Sequence, residues 1–411
     1  MLNERYLRDH PDDVRAAFHR RHAGAEAVRT FDAWLALDAR RRAAAHRDAL
    51  AAALRASNAT QPTVEARAAS SKLQAATGAL AVLEAEARGL LLQLPNLPDA
   101  RVPDGDGPAH NVELRRWGEP RTFDFTPRAH DELATALGIY DAPRATRMAG
   151  PRFPLLVGAG ARLARALATL MLEMHAERGY TEVAPPHLLR AETLEGSGHL
   201  PYHADDLYAI SRDRLYLSPT AEAQLVALHA DETLLEARLP LAYTACTPAF
   251  RREAGSSRAA THGLIRQHQF DKVELVRIAT PETAEAAFAT LLAAAEAVLQ
   301  RLELPYRVVA LCAGELPFAS QYTCDLEAWM PGQSKYVEIS SVSDCGTFQA
   351  RRLHLRYTPA SGGRARYPHT LNGSALAIGR TLAAILENGQ RADGSVALPA
   401  ALAAPWWPPS R

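Results

Sequence analysis

Between Leu73 and Leu94 the apolar residues fall at Leu73, Ala76, Leu80, Leu83, Ala87, Leu90 and Leu94, a strict alternation of three and four. That is the narrow a/d seam of a coiled coil. A helix patterned this way buries one thin stripe, so it needs a single partner helix and cannot contribute to a broad core. The partner is at hand: Glu26 to about Ala56 places Val28, Phe31, Leu35, Leu50 and Leu54 along a run rich in small Ala residues, and Ser57 to Pro62 is a turn by composition. The spacing predicts an antiparallel helical hairpin, each helix roughly 45 Å long at 1.5 Å per residue. Pro95-Asn96-Leu97-Pro98 ends it, because proline cannot continue a helix and biases its predecessor to extended backbone. Ahead of the hairpin, Pro11 to Phe18 carries a short amphipathic helix signal, with Pro at the start and acids in the first turn. The hairpin's first helix also bears Arg29, Arg40, Arg41, Arg42, Arg47 and Arg55 against Asp32, Asp38 and Asp48. Such a run is either a phosphate-contacting surface or a solvated face with i,i+4 partners, and the second is the commoner fate of charge runs.

A core must therefore lie further along. A chain of 411 residues suggests two or three domains, and the expected division is an N-terminal helical unit over 1–98, a Pro- and Gly-rich linker over 99–109 and a second domain over 110–411. No run of eighteen apolar residues occurs and charges interrupt the first thirty, so the expectation is a cytosolic chain without a membrane span or signal peptide. Cys246, Cys312, Cys324 and Cys345 form no C-x-x-C pair and have no His at zinc spacing, which argues against structural zinc. The formal charge of zero removes any whole-molecule field for steering a polyanion, so nucleic-acid contact would need local patches.

From His110 onward short strands and helices alternate irregularly. Helices are predicted over Leu163–Arg178, Thr283–Leu302 and Ser374–Asn388. Strands are predicted over Tyr180–His187, Leu215–Leu217, Tyr306–Leu311, Tyr336–Ser341 and Tyr367–Asn372. Pro185 and Pro186 confine the first strand to an edge or end it. The richest stretch is Pro248 to Leu275, read as a strand over Tyr243–Glu253, a loop of small residues, and a second, half-buried strand over Leu264–Val276. Hairpins among mixed elements favour an α+β fold with an antiparallel sheet over a parallel Rossmann sheet. Gly158-Ala-Gly-Ala-Arg162 lacks the third glycine and the Lys-Ser/Thr pair of a phosphate loop.

Four separated segments carry polar residues at predicted strand ends: Ser218-Pro-Thr-Ala-Glu222, the hairpin, Tyr336-Val-Glu-Ile-Ser-Ser341, and Thr370 to Arg380. In this order they resemble the seryl-tRNA synthetases of bacterial type, members of class II of the aminoacyl-tRNA synthetases. Tyr180–His187 looks like that class's first motif, Phe250–Glu274 like its second and Thr370–Arg380 like its third. Asn96-Leu-Pro, Arg116-Trp-Gly-Glu-Pro, Gly196-Ser-Gly-His-Leu-Pro, Phe348-Gln-Ala-Arg-Arg and Ile385-Leu-Glu-Asn-Gly-Gln flank them. The resemblance covers nearly the whole chain. It implies a class II antiparallel sheet flanked by helices, preceded by the coiled-coil arm.

The implied activity is activation of L-serine by ATP to seryl-adenylate, then transfer to the 3′ end of tRNA(Ser), with tRNA(Sec) a further acceptor within the resemblance. In-line attack of a carboxylate on the α-phosphate depends on positioning and charge neutralisation, which arginines and Mg²⁺ supply. The resemblance makes Arg251 and Arg380 the catalytic pair. It assigns the ATP site to Arg251, Arg252, Glu253, Arg266, Phe270, Glu338, Ile339, Ser340, Ser341 and Arg380, with Glu253 at the adenine amino group and Phe270 beneath the ring. Thr220, Ala221, Glu222, Arg251, Glu274 and Ser374 would take serine. Glu338 and Ser341 would hold Mg²⁺ brought with ATP. Arg40, Arg41, Arg42, Arg47 and Arg258 would contact tRNA, and the protein would be a cytoplasmic homodimer. Three segments depart from the family. Arg258-Ala-Ala-Thr-His-Gly263 stands where Gly-Arg-Asp-Thr-Arg-Gly is usual, Val342-Ser-Asp-Cys345 replaces Cys-Ser-Asn-Cys, and the chain ends on Pro405-Trp-Trp-Pro-Pro. The altered loop keeps a second reading open, a specialised paralogue with a biosynthetic or resistance role, or one passing serine to a non-tRNA acceptor. A third is a non-catalytic tRNA-binding homologue, against which the retained Arg251, Glu253, Glu338 and Arg380 speak.

Overall fold

The computed structural model describes residues 1–57, 64–254, 263–405 and 407, and for 46–57 and 64–76 the backbone alone. The chain divides into two compact units, Met1–Leu97 and Pro98–Arg411.

In the first unit the predicted hairpin is formed by helices Gly24–Ser57 and Val64–Leu92, which pack along each other. Leu73 and Ala76 of the seam lie outside the residues whose side chains are described. Of the rest, Ala87 and Leu94 are fully buried, and Leu80, Leu83 and Leu90 are half-buried, as a two-helix seam requires. The solid core sits at the hairpin's base. There the short helices Glu4–Asp9 and Pro11–Arg20 bring Leu7, Val14 and Phe18 against Phe31, Trp34, Leu91 and Leu94, and Trp34 stacks on Phe31 with ring centres 6.3 Å apart. Asp38, 1% exposed, is clamped by Arg8, Arg41 and Arg42. Arg41 also reaches Glu4 at 2.5 Å. Part of the basic run is thus occupied within the unit; Arg40 is exposed, and Arg42 is exposed while pairing with Asp38.

The second unit is built on an eight-stranded sheet. Its strands are β1 (Val112–Trp117), β2 (Thr181–Glu182), β3 (Leu241–Phe250), β4 (Gln269–Ala279), β5 (Tyr306–Ala310), β6 (Tyr322–Met330), β7 (Lys335–Asp344) and β8 (His369–Ala377). Their order is β1-β5-β6-β7-β8-β4-β3-β2, antiparallel throughout except β2, which runs parallel to β3 at the edge. The double proline explains why β2 is an edge strand of two residues and not the longer strand expected over Tyr180–His187. Helices Ala159–Ala176, Ala284–Arg301 and Ile378–Gly389 match the three predicted helices, with one shift. Ser374 belongs to β8, not to the helix after it, because the chain keeps pairing with β4 as far as Ala377 opposite Lys272.

Strand β4 also starts later than expected, at Gln269. It is covered on both faces, not half-buried. Val273 and Leu275 join the main core with Leu291 of helix Ala284–Arg301. Alternation turns Val276 and Ile278 to a second cluster with Ala221, Leu225 and Val226 of helix Ala221–Ala227, and leaves Lys272 and Glu274 buried on that same face. Two charged residues at the centre of a sheet, 7% and 1% exposed, mark where the core gives way to a site. Gly158–Gly160 starts the helix Ala159–Ala176, and Gly160 is small because a Cβ there would lie 2.5 Å from the Ile139 carbonyl oxygen. Packing accounts for that glycine without a phosphate.

Candidate active site

A cavity of about 750 Å³ opens over the polar face of β4, β7 and β8, beside the end of β3. At its floor Glu274 receives a hydrogen bond from Thr220 Oγ1 at 2.7 Å and forms an ion pair with Lys272. Ser374 stands directly opposite Glu274 on β8. Thr220 caps helix Ala221–Ala227 by accepting from the Glu222 N–H, so one hydroxyl fixes both the helix start and the Glu274 carboxylate. Glu222 is held by Gln349 Nε2 at 2.7 Å and Asn372 Nδ2 at 3.1 Å. Burial, reinforced by the charge of Glu274, pushes its carboxyl up to about 7. His199, which also lines the cavity, is pushed down to about 3 by burial, with His203 and Arg251 adding to the effect, and so stays neutral.

Arg251 follows the last residue of β3. Its N–H donates to the His268 carbonyl at 2.9 Å, its Nε to the Pro219 carbonyl at 3.1 Å, and its guanidinium lies 5.4 Å from the centre of the Phe270 ring. Arg266 reaches back to Glu253 at 2.8 Å. Arg380, in the first turn of helix Ile378–Gly389, donates to both the carbonyl and the carboxylate of Glu338, each at 2.9 Å. The Arg380 charge draws the Glu338 carboxyl below its ordinary range against the opposing effect of burial.

A β-bulge places Glu338 and Ser341 together. In the β6–β7 ladder Glu327 faces Glu338 and Leu326 faces Ser340, which leaves Ile339 as the extra residue. Cross-strand partners share a face. Asp325 opposite Ser341 and Glu327 opposite Glu338 therefore put all four polar side chains on the cavity side. Without the bulge, Glu338 and Ser341 would point to opposite faces. Two oxygen donors of this kind suit a hard divalent cation.

Most of the expected residues meet here: Arg251, Glu253, Arg266, Phe270, Glu338, Ile339, Ser341, Glu222, Glu274, Ser374 and Arg380 all line the cavity, and Thr220 touches it through Glu274. Three stand behind or beside it. Ala221 is buried in the second cluster, and Ser340 Oγ turns away to the Ser374 carbonyl at 2.5 Å. Arg252 is exposed and anchored through its N–H to the Asp206 carbonyl. Arg47, in its side chain, and Arg258, with the loop to His262, lie outside the described residues. Lys272, Asn372, Gln349 and Cys345 were not foreseen. Lys272 was legible, since period two puts it on the face of Glu274, whereas Gln349 and Asn372 reach Glu222 across 127 and 150 residues and left no local signal.

An antiparallel sheet with helices behind it and arginines at the ends of two motifs is the core of a class II aminoacyl-tRNA synthetase. Residues 207–389 match the family model described as tRNA synthetase class II core domain (G, H, P, S and T). A serine–tRNA ligase of Acidithiobacillus ferrooxidans is 56% identical over 314 residues, 76% of this chain and 74% of that one. Another, from Sorangium cellulosum, is 47% identical over 423 residues and 98% of each chain. Among solved structures, seryl-tRNA synthetase from Pyrococcus horikoshii complexed with ATP superimposes with a TM-score of 0.89 at 33% identity, covering 98% of this chain and 97% of that one. The chain belongs to the serine–tRNA ligase family.

Proposed function

We propose that this protein activates L-serine with ATP and transfers the seryl group to tRNA(Ser), the observation that carries the reading being the Thr220–Glu274–Ser374 floor beside Arg251. A floor built of hydroxyl and carboxylate groups pairs the serine hydroxyl and leaves buried polar atoms unpaired when alanine enters, which is how such sites reject the smaller substrate. Glu222 suits the ammonium. Arg251, fixed by Pro219 and Phe270, suits the serine carboxylate and the α-phosphate, and Arg266 and Arg380 suit the outer phosphates as bidentate donors. Glu253 would exchange its Arg266 partner for the adenine amino group, over the Phe270 ring. Glu338 and Ser341 would hold Mg²⁺, which supplies charge neutralisation to the phosphates when bound. Family membership supports a homodimer and contact of the helical hairpin with tRNA, through the exposed Arg40 and Arg42 and through Arg47, with Arg258, between β3 and β4, a contact outside the hairpin. Among the described residues no helix is long and apolar enough to cross a membrane.

Serine-dependent exchange of pyrophosphate into ATP tests the first step, and charging of tRNA(Ser) beside a transcript lacking its long variable arm tests the second. Exchange and charging are both expected, with the truncated transcript charged poorly. No exchange would end the enzyme reading, and exchange without charging would turn it to a different acceptor.

The Glu222 carboxyl also sets a pH dependence. Only the carboxylate pairs with an ammonium, and in the free site the group protonates as pH falls through about 7. The KM for serine should therefore climb as pH drops from 8 to 6, approaching tenfold per unit at the acid end, with kcat at saturating serine much less affected. A serine KM that stays flat over that range would contradict the assignment of Glu222.

A further inference from the structure

Asp325 lies on β6, directly opposite Ser341 in the ladder with β7 and on the face it shares with Ser341 and Glu338. The Asp325 and Ser341 side chains project from directly paired positions on that face, within reach of one another. Asp325 Oδ1 is shut off from solvent and has no hydrogen-bond partner among the described residues. A carboxyl so placed is poorly explained as a strand residue, because an unsatisfied buried acceptor carries a desolvation cost that an apolar side chain would avoid. A serine hydroxyl is a free rotor with one proton and two lone pairs, and it offers a steady oxygen to a cation only when something fixes that rotor. We propose that Asp325 is the positioning residue of the divalent-cation site, fixing the Ser341 hydroxyl so that it and the Glu338 carboxylate face the cavity as a prearranged pair of oxygen donors.

This inference rests on the nucleotide reading of the cavity, and it goes beyond that reading in assigning work to a residue outside the three class motifs. Asp325 would act through Ser341. Its removal should loosen the cation while leaving nucleotide affinity in the absence of metal unchanged.

The test is the affinity of the full-length protein for Mn²⁺ in the presence of a non-hydrolysable ATP analogue, read by electron paramagnetic resonance of free Mn²⁺, alongside analogue affinity measured in EDTA. Asp325→Ala should weaken Mn²⁺ binding by about 10-fold or more, the range seen when the support of a metal ligand is lost. Affinity for the analogue in EDTA should stay within twofold. In a Ser341→Ala background the same change should add less than twofold, because the hydroxyl it orients is gone. Asp325→Asn can still accept from Ser341 and should keep most of the affinity. Asp325→Val, which suits a strand, replaces the alanine variant if that one does not fold. Mn²⁺ affinity within twofold of wild type in the folded Ala or Val variant overturns the proposal, as does an equal loss with and without Ser341. If the wild-type protein binds neither analogue nor Mn²⁺, the nucleotide reading falls and this proposal with it. Wild-type binding that the variants leave intact sinks this proposal alone.

Discussion

Glu274→Ala is expected to abolish serine-dependent pyrophosphate exchange, lowering kcat/KM for serine by about a thousandfold or more. Glu274 is 1% exposed, and Thr220 and Lys272 both engage its Oε2. It is the carboxylate that a serine hydroxyl would meet on entering between it and Ser374. Sites built to hydrogen-bond a substrate hydroxyl lose about four orders of magnitude when that pairing is absent, whichever side it is removed from. The alanine variant also strands the Lys272 ammonium, 7% exposed, with no counter-charge from Glu274. Breaking a buried ion pair from one side costs about 3–5 kcal/mol, so the melting temperature should fall as well. Glu274→Gln separates the two effects: it keeps the volume and the acceptor oxygen, and it should lose activity with a smaller loss of stability. The measurement is exchange at saturating ATP with serine varied, on protein shown to be folded by circular dichroism. A folded alanine variant that activates serine within tenfold of wild type would remove Glu274 from the serine site.

What could be read from the sequence follows how local each signal is. The hairpin was legible because a heptad seam repeats within one helix. The motif segments were legible because three of them gather their residues within about ten positions and the fourth, Phe250–Glu274, is a single hairpin of adjacent strands. Strand β6 was missed because its polar residues, Asp325 and Glu327, gain their neighbours Ser341, Glu338 and Arg307 only once β7 and β5 pair alongside. Strand β1 was missed because all six of its residues are exposed, so backbone pairing with β5 defines it and no pattern of burial announces it. The misplaced boundary at Ser374 has the same origin. Asn372-Gly-Ser-Ala reads as the start of a helical run, yet Gly373 is fixed opposite Val342 on one side and Leu275 on the other, and two neighbouring strands outweigh a local preference. The bulge at Ile339 is invisible in the sequence as well. It is the bulge that brings Glu338 and Ser341, three residues apart, to one face.

The second large effect concerns Arg251, whose replacement by alanine should reduce the adenylation rate by about a thousandfold at saturating substrates. The expectation comes from how the guanidinium is held before any substrate arrives. Its Nε is committed to the Pro219 carbonyl at 3.1 Å and its plane lies near Phe270, so the remaining donors face the cavity in a fixed direction. A preorganised donor aimed at developing charge is worth about 10²–10³ in kcat by single removal. Arg251 would serve both the attacking carboxylate and the α-phosphate, which places the loss at or above the upper end. Arg251→Lys should rescue little, because an ammonium can neither span two oxygens nor keep the Pro219 contact while doing so. Arg266 provides the contrast. Its guanidinium is paired with Glu253 at 2.8 Å before substrate binds, so part of its interaction with phosphate is offset by the pair it must leave. Arg266→Ala should accordingly act mainly on the KM for ATP and cost less in rate. Single-turnover adenylate formation, measured for Arg251→Ala, Arg251→Lys and Arg266→Ala at saturating serine and ATP, decides the matter. If the lysine variant runs within tenfold of wild type, charge alone accounts for the role and the held geometry of Arg251 does not matter.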